Sequence, residues 1–447
     1  MALPAPAPPS ALHDIAGHRL GTPAAIRLIR DKEDLRAALG EAARDDRPFA
    51  AMGERATYWH NLSLEGAIVA DLSAYDRVLV VDASAGVATV ESGITLRALD
   101  AALRAHGSHL TMHPDGYGDT LLGSAIANGV TAGIGMMNRD FLDQIVGFEV
   151  MLADGRTLQV GASRLRGGRP GAVARGLPDL RSVFFGAEGA LGVVTEVDVA
   201  LLPALFEARI ECLTDDDAID EVVALANTWR RRGVVDTLRW VWTGHGALSV
   251  HLSSPVDEAE LGARVERVCA TLPGWARPEI TVFGDDFRRG VSPGYDAKWP
   301  GPAGHTWRGG EVPPFFGLDA VVPYGRVGAA YAWARALRVE AVHRRVACYF
   351  GPDGVNLGVH CVSESDAARE RARSVLEAEV PTLAALDAVP YRPGLTWRDE
   401  LASRADPATL STLRAVARVL DPDGRMNPGV GLFASPSATT KEPTHEP

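Results

Sequence analysis

In "AVPYRPGLTWRDEL", residues 388 to 401, Tyr391 and Arg392 stand side by side at the head of a helix-forming run. A neutral phenol donor beside a guanidinium that stays charged when desolvated is suited to holding an anion. Taken alone, the dipeptide is most simply a solvated surface pair. Another tyrosine, Tyr58, follows a short glycine loop in "AMGERATYWH", residues 51 to 60, directly after an expected strand. Residues 113 to 135, "HPDGYGDTLLGSAIANGVTAGIG", are richer still in glycines and small or hydroxyl residues. Backbone N–H groups of such loops can converge on an anion, so the two segments together can cradle a pyrophosphate. Neither matches the Rossmann G-x-G-x-x-G in its strand-to-helix setting or the P-loop with its lysine, and glycines in ordinary turns explain either segment as well.

The elements that must position these residues fall into two textures. From about 47 to 95, β-rich runs alternate with turns, ending in "RVLVVDASAGVATVESG", a hairpin folded at Ala83 to Gly86. The run "TLRALDAALRAHG" spaces Leu96, Leu99 and Leu103 for one helix face, with Thr95 to cap it and Gly107 to end it. "GFEVMLADGRTLQVG" reads as a hairpin turning at Asp154 and Gly155, and "GVVTEVDVALLP" as a long strand closed by Pro203. From about 205 the order becomes strand, helix, strand, strand, helix, which predicts a second α+β unit with an antiparallel sheet and helices on one face. Residues 284 to 326 interrupt it with a segment rich in Gly, Pro and aromatics, a lid or channel wall around Trp299, Trp307 and Phe315 or plain core packing. The chain shows no internal repeat.

Composition narrows the partners. With 447 residues, 46% of them hydrophobic, the chain can bury two or three cores. A formal net charge of -12 without a basic block argues against nucleic acid or an anionic membrane as the main partner and favours a small molecule. Cys212, Cys269, Cys348 and Cys361 are scattered without metal-ligand spacing, which predicts no metal site and a reduced, cytoplasmic protein. The N-terminal "MALPAPAPPS" reads as a disordered Pro/Ala tail, "SPSATTKEPTHEP" as another, and no apolar run is long enough to span a membrane.

Five segments in this order carry a resemblance to the flavoprotein superfamily of vanillyl-alcohol oxidase and p-cresol methylhydroxylase (PCMH). They are "MGERATY", "VATVESGITLRALDAAL", "PDGYGDTLLGSAIANGV", "FFGAEGALGVVTEVDVALLP" and "LDPDGRMNPGVGLF". The resemblance runs over roughly 25 to 205 and 385 to 433 and is weak between. It implies an α+β fold with a two-subdomain FAD-binding domain of PCMH type, split by an α+β cap domain with an antiparallel sheet. The expected division is a disordered tail over 1–22, FAD-binding domain over 23–205, substrate cap over 206–385, return to the FAD-binding domain over 386–434, and a tail over 435–447. FAD contacts are implied for Gly53, Glu54, Arg55, Ala56 and Thr57 in the first loop. In the second loop they are implied for Pro114, Asp115, Gly118, Thr120, Leu121, Gly123, Ser124, Gly129 and Val130. Glu188, Gly192, Val193, Val194 and Asn427 complete the set.

Within the superfamily the chain is most similar to the branch that oxidises para-substituted phenols. That similarity assigns Tyr58, Tyr391 and Arg392 to the substrate phenolate, and a carboxylate beside the flavin to Asp140, with Asp143 as rival. The physical case for these residue types is independent of the resemblance. Holding a phenol of pKa near 10 as phenolate at pH 7 needs about 4 kcal/mol of preferential stabilisation. Two phenolic donors and a guanidinium can supply that, since hydrogen bonds to a charged group contribute roughly 1.5–3 kcal/mol each. Ionisation raises electron density at the para carbon, so a benzylic hydride can leave for the flavin and a quinone methide results. Water addition then gives an alcohol, proton loss an alkene, and loss of a neighbouring carboxylate a decarboxylated alkene. The carboxylate near the benzylic carbon can act as base or stabilise developing positive charge.

Departures from the relatives set further expectations. The loop position that carries a covalent His in many members is Ala56 here, and "PFFGLDAVVP" has none; His60 and His305 are the nearest histidines. Non-covalent FAD is therefore expected. The short, divergent cap suits a tyrosine-derived natural product that undergoes oxidative decarboxylation, with Lys298, Arg308 or Arg326 as carboxylate anchors. Self-association into a homodimer is left open. One rival reading is a D-2-hydroxyacid dehydrogenase, because "YFGPDGVNLGVH" loosely resembles that branch's Gly-Asp-Gly-Asn-Leu-His run, although inserted residues spoil the spacing and His360 reads more simply as a buried strand residue. The other is a flavin-free binding protein of the same fold.

Overall fold

Period-two alternation and capped amphipathic helices give this chain three principal sheets, and the computed structural model describes residues 11–53, 57–110, 120–130, 141–161, 178–203, 205–215, 217–283 and 315–433. In the smallest, Ile68–Asp71 lies between Ala25–Leu28 and Phe49–Met52, all parallel. Helix Lys32–Arg44 covers it, capped by the Asp31 side chain on the N–H groups of Glu33 and Asp34. The five-stranded antiparallel sheet runs Thr157–Gly161, Ile145–Met151, Val193–Ala200, Val87–Glu91, Val78–Asp82. Its two hairpins turn where the glycines permit, at Gly86 and Gly155, both with positive φ. Helix Leu96–Arg104, capped by Thr95, buries Leu96, Leu99 and Leu103 against it.

The eight-stranded sheet is antiparallel throughout, in the order Glu279–Phe283, Phe206–Thr214, Gly246–Ser254, Thr237–Trp242, His343–Phe350, Val355–Val362, Phe315–Val322, Val389–Pro390. Helices Ile219–Arg232, Glu258–Cys269, Val327–Ala336 and Asp366–Glu377 share one apolar core with it, around Trp229, Trp240 and Phe316. The last strand is only two residues, and the chain leaves it directly into Tyr391 and Arg392.

One expectation is corrected. Residues 11 to 22 are not a free tail: Leu12–His13 pairs with Arg19–Gly21, and Asp14, Ala16, His18 and Leu20 are buried. The Pro/Ala composition of the first ten residues does not extend to this stretch. His18 is the reason it docks, because its ring bonds Asp14 Oδ2 at 2.8 Å and Glu377 Oε1 at 2.7 Å. Among the described residues, no helix is long and apolar enough to cross a membrane.

Candidate active site

Strand alternation in the large sheet builds one wall of the site. Phe316, Leu318, Val346, Cys348, Val359 and Cys361 point into the helix-covered core, so Asp319, Arg345 and His360 share the opposite face. Register then brings them together: Arg345 and Gly317 both pair with His360 across the strands, and Asp319 pairs with Gly358. Arg345 Nε donates to His360 Nδ1 at 3.0 Å. A guanidinium only donates, so Nδ1 is the acceptor and the ring proton sits on Nε2. Nε2 lies 3.2 Å from Asp319 Oδ1 and 3.1 Å from the Tyr58 hydroxyl, which itself donates to Asp319 Oδ2 at 2.6 Å. Two glycines make the room. A Cβ on Gly317 would stand 2.7 Å from His360 Cδ2 and 3.2 Å from Tyr58 Cε2, and one on Gly358 would overlap the Asp319 carboxylate.

The facing wall comes from the segment that leaves the sheet. Arg392 is 4% exposed, donates to the Asn128 carbonyl at 2.5 Å and to the Tyr391 hydroxyl at 3.2 Å, and lies over the rings of both Tyr391 and Trp59. No carboxylate of the described residues is within ion-pairing distance of it, and its buried Nε has no partner. Trp59 stacks tilted on Tyr58, 4.2 Å between centroids, and meets Tyr391 edge-on, so it joins the two walls. Its buried Nε1 is also unpartnered. The segment is held by Gly394, at φ 47, whose N–H bonds Glu188 Oε1 at 3.1 Å and whose Cα faces the Trp59 carbonyl too closely for any side chain. Burial pushes the Glu188 carboxyl up to about 7, against the pull of the Gly394 N–H and of Arg392, and its Oε2 is unpartnered.

Around these walls the glycine loops converge. Gly53 packs so closely on Ser124 that a Cβ there would overlap its hydroxyl, and Gly129 meets Gly186 backbone to backbone. Thr57 donates to Asn61, which donates to Asn128 at 2.5 Å. Asn427 bonds the Asn61 and Glu188 carbonyls and the Ser63 N–H, so its side chain ties loops together. Glycine backbone at these positions, beside the buried, unpartnered polar atoms of Arg392, Trp59 and Glu188, fits a polar cofactor.

Of the residues singled out in the sequence, Tyr58, Tyr391 and Arg392 are brought together through Trp59, but Tyr58 gives its proton to Asp319 and Arg392 reaches Tyr391. Gly53, Thr57, Thr120, Leu121, Gly129, Val130, Glu188 and Asn427 lie on the converging loops, Gly123 and Ser124 in the short helix Leu122–Ala127 between them, and Gly192, Val193 and Val194 enter the strand that follows. Glu54, Arg55, Ala56, Pro114, Asp115, Gly118, Asp140, Lys298, Trp299, His305, Trp307 and Arg308 lie outside the described residues. Asp143 is exposed on a short helix, Arg326 pairs with Asp387 at a half-exposed position, and His60 stacks on His18. Sequence reasoning missed Trp59, Asn128, Asp319 and Arg345 as parts of the site, and left His360 as packing. The alternation of Asp319 and His360 against buried apolar neighbours was the available signal.

A buried guanidinium without an ion pair, beside glycine-rich loops that meet backbone to backbone, suits a protein that binds an anionic ligand or cofactor. Comparison with known proteins makes that specific. Residues 23–161 match the model of an FAD binding domain, and residues 305–430 match that of the FAD linked oxidases, C-terminal domain. The chain is 24% identical over 397 residues to an uncharacterised FAD-linked oxidoreductase of Mycobacterium tuberculosis, covering 82% of this chain and 81% of that one. Shorter similarities, each 26% identical and over 44% of this chain, are to 1'-carboxy-chondrochloren decarboxylase of Chondromyces crocatus (36% of its length) and D-lactate dehydrogenase of Archaeoglobus fulgidus (46% of its length). The structure of p-cresol methylhydroxylase with substrate bound superposes with a TM-score of 0.72 at 16% identity, over 93% of this chain and 89% of that one. The chain is an FAD-linked oxidoreductase with an FAD binding domain and the C-terminal domain of the FAD linked oxidases, it shares the fold of p-cresol methylhydroxylase, and FAD is its cofactor.

Proposed function

We propose that this protein oxidises a para-substituted phenol, bound as phenolate by Arg392 and Tyr391 with Tyr58 on the other side of the phenolic oxygen. One observation carries the reading: a buried guanidinium, stacked between Trp59 and Tyr391, with no carboxylate among the described residues within ion-pairing distance and only the Glu188 carboxyl acting on it from further away. A buried cation of that kind is costly unless an anion joins it. An aromatic anion fits, because the flanking rings offer π-faces and the Tyr391 hydroxyl a polar contact.

Gly53, Thr57, Thr120 to Ser124, Gly129, Val130 and the Glu188 to Val194 segment would hold FAD, without a covalent link. Bound FAD supplies the hydride acceptor. The chain's own residues bind and ionise the phenol, exclude water with Trp59 and Phe315, and hold the ring by its oxygen so that its para substituent is the reacting end. Loss of a benzylic hydride from the phenolate leaves a quinone methide. The similarity to a decarboxylase supports a substrate with a neighbouring carboxylate, whose loss as carbon dioxide would quench the quinone methide to an alkene, as a tyrosine-derived natural product would allow.

The test is anaerobic reduction of the bound flavin by a panel of para-substituted phenols, including N-acyl-tyrosines, with carbon dioxide measured. Phenols should bleach the flavin, and acid precipitation should release all of it. Reduction by D-lactate with no response to phenols would replace this reading by hydroxyacid oxidation, and a protein that stays colourless after adding FAD would remove both.

A further inference from the structure

Asp319, His360 and Arg345 lie on the side of Tyr58 away from Arg392's partners, and the function above gives them no task. Their bonds are directional. The donor-only Arg345 fixes the His360 proton on Nε2, a nitrogen 3.2 Å from one Asp319 oxygen and 3.1 Å from the Tyr58 oxygen, while the Tyr58 hydroxyl donates to the other Asp319 oxygen at 2.6 Å. Asp319 therefore accepts from two sides, and all four groups belong to rigid strands or abut them. The consequence for Tyr58 is a reversal of role. With its proton committed to Asp319, Tyr58 meets a substrate phenol as a hydrogen-bond acceptor, whereas the clamp expected from the sequence made it a donor.

We infer that Tyr58 and Asp319 form a proton relay that ionises the substrate phenol, with His360 and Arg345 as positioning residues behind them. The inference rests on the phenol reading and deepens it. The phenol O–H bond breaks, its proton passes to the Tyr58 oxygen, and the Tyr58 proton passes to Asp319 Oδ2. The products are a phenolate beside Arg392, a neutral Tyr58 and a protonated Asp319. No electrons move in this step. A relay is needed because a phenol arrives almost wholly protonated at neutral pH and its proton must leave before a benzylic hydride can.

The relay predicts a rescue that a merely structural Asp319 would not show. Asp319→Asn keeps the shape and an acceptor for Tyr58 but cannot take the proton. In the FAD-loaded protein it should slow anaerobic flavin reduction by para-ethylphenol about a hundredfold, the scale of a lost general base. A ring-fluorinated para-ethylphenol chosen to be ionised at the assay pH should lose less than about threefold, because no proton remains to be moved. Stopped-flow binding of para-chlorophenol gives a readout independent of oxidation: its phenolate absorption band should rise more slowly in the variant and reach the same amplitude. Tyr58→Phe, which leaves the Asp319, His360 and Arg345 bonds in place, should lose at least about tenfold more rate with para-ethylphenol than with the ionised phenol, and covers the case in which Asp319→Asn does not fold. Equal losses with both phenols, or an unchanged rate of band formation, would overturn the relay and leave the phenol reading standing. A wild-type flavin that no phenol reduces would overturn both.

Discussion

The two walls of the site are built from the same kinds of residue and differ in how completely their polar atoms are satisfied. On the sheet side Tyr58, Asp319, His360 and Arg345 bond one another in a closed chain, and none carries a buried polar atom without a partner. On the loop side the buried Arg392 Nε, Trp59 Nε1 and Glu188 Oε2 have no partner, although each group is held firmly in place. An unsatisfied buried polar group costs roughly 1–3 kcal/mol, so three within one wall are not retained for stability. The closed network sets geometry; under the proposed function the open one is where substrate and cofactor would supply the missing hydrogen bonds.

The comparison breaks most directly at Arg392. If the open wall is the ligand wall, Arg392→Ala should lower the rate of phenol-driven flavin reduction about a thousandfold, equivalent to the roughly 4 kcal/mol that phenolate binding at neutral pH requires. FAD content and melting temperature should fall far less than the rate, because the loops that would hold FAD are tied by Asn427, Asn61 and Asn128 to one another as well as by the bond from Arg392 to the Asn128 carbonyl. Equal loss of reduction and of FAD would move Arg392 to the closed, structural category.

Next in size is Gly394→Ala. The positive φ and the neighbouring Trp59 carbonyl leave no place for a methyl group, so the turn must shift and carry Tyr391 and Arg392 with it. A stability loss of about 3 kcal/mol is expected from strain and overlap together. Thermal melting reads that loss. Phenol affinity should fall with it, while the closed network on the sheet side keeps its bonds.

What the sequence made legible follows the same division. Hairpins, caps and the alternation of the large sheet came from local periods and turn residues, as in Thr95 capping Leu96–Arg104 and Gly155 turning the hairpin at Asp154. Tyr58, Tyr391 and Arg392 were legible because each sits next to a recognisable loop or segment. Asp319, Arg345 and His360 were not, because their meeting depends on strand register, which pairs residues fifteen and forty-one positions apart. A polar residue on the buried strand face looks the same in the sequence whether it packs alone or joins a network. Residues 11 to 22 were misjudged for a related reason: their docking depends on Glu377, from a distant helix.

Glu188 offers a pH-dependent sharpening. Its carboxyl is raised by burial to about 7, so the folded protein bears a growing cost as pH rises from the unfolded carboxylate range near 4.3 through 7. Glu188→Gln keeps the acceptor for the Gly394 N–H and removes the charge. The variant should be more stable than wild type above pH 7, by up to about 3 kcal/mol, with the difference vanishing below about pH 4. If Oε2 meets a donor from a bound ligand, the difference should shrink when FAD or a phenol is present. A difference unaffected by either would remove Glu188 from the open wall.

The smallest expected effect lies at His18, a closed network far from Arg392 in sequence and built from the same chemistry. Burial disfavours its charged form, yet bonds to Asp14 and Glu377 outweigh that and raise its pKa, while Glu377 is lowered by the same contact despite its own burial. A raised histidine contributes stability that is fully present below the unfolded value near 6.5 and is lost as pH rises through the folded value. A lowered carboxylate contributes stability that is present above its unfolded value near 4.3 and is lost as pH falls through the folded value. Wild-type stability from this cluster should therefore be greatest between about pH 4.5 and 6.5 and decline above it. His18→Gln should abolish that decline at a cost of about 1 kcal/mol near pH 6, read by thermal melting across pH. Flavin reduction by phenols should be unaffected, since every ring nitrogen of His18 is already spent on holding the N-terminal stretch to the Asp366–Glu377 helix. A loss of reduction comparable to that of Arg392→Ala would show that a satisfied network can still govern the chemistry, and the division between the two walls would fail.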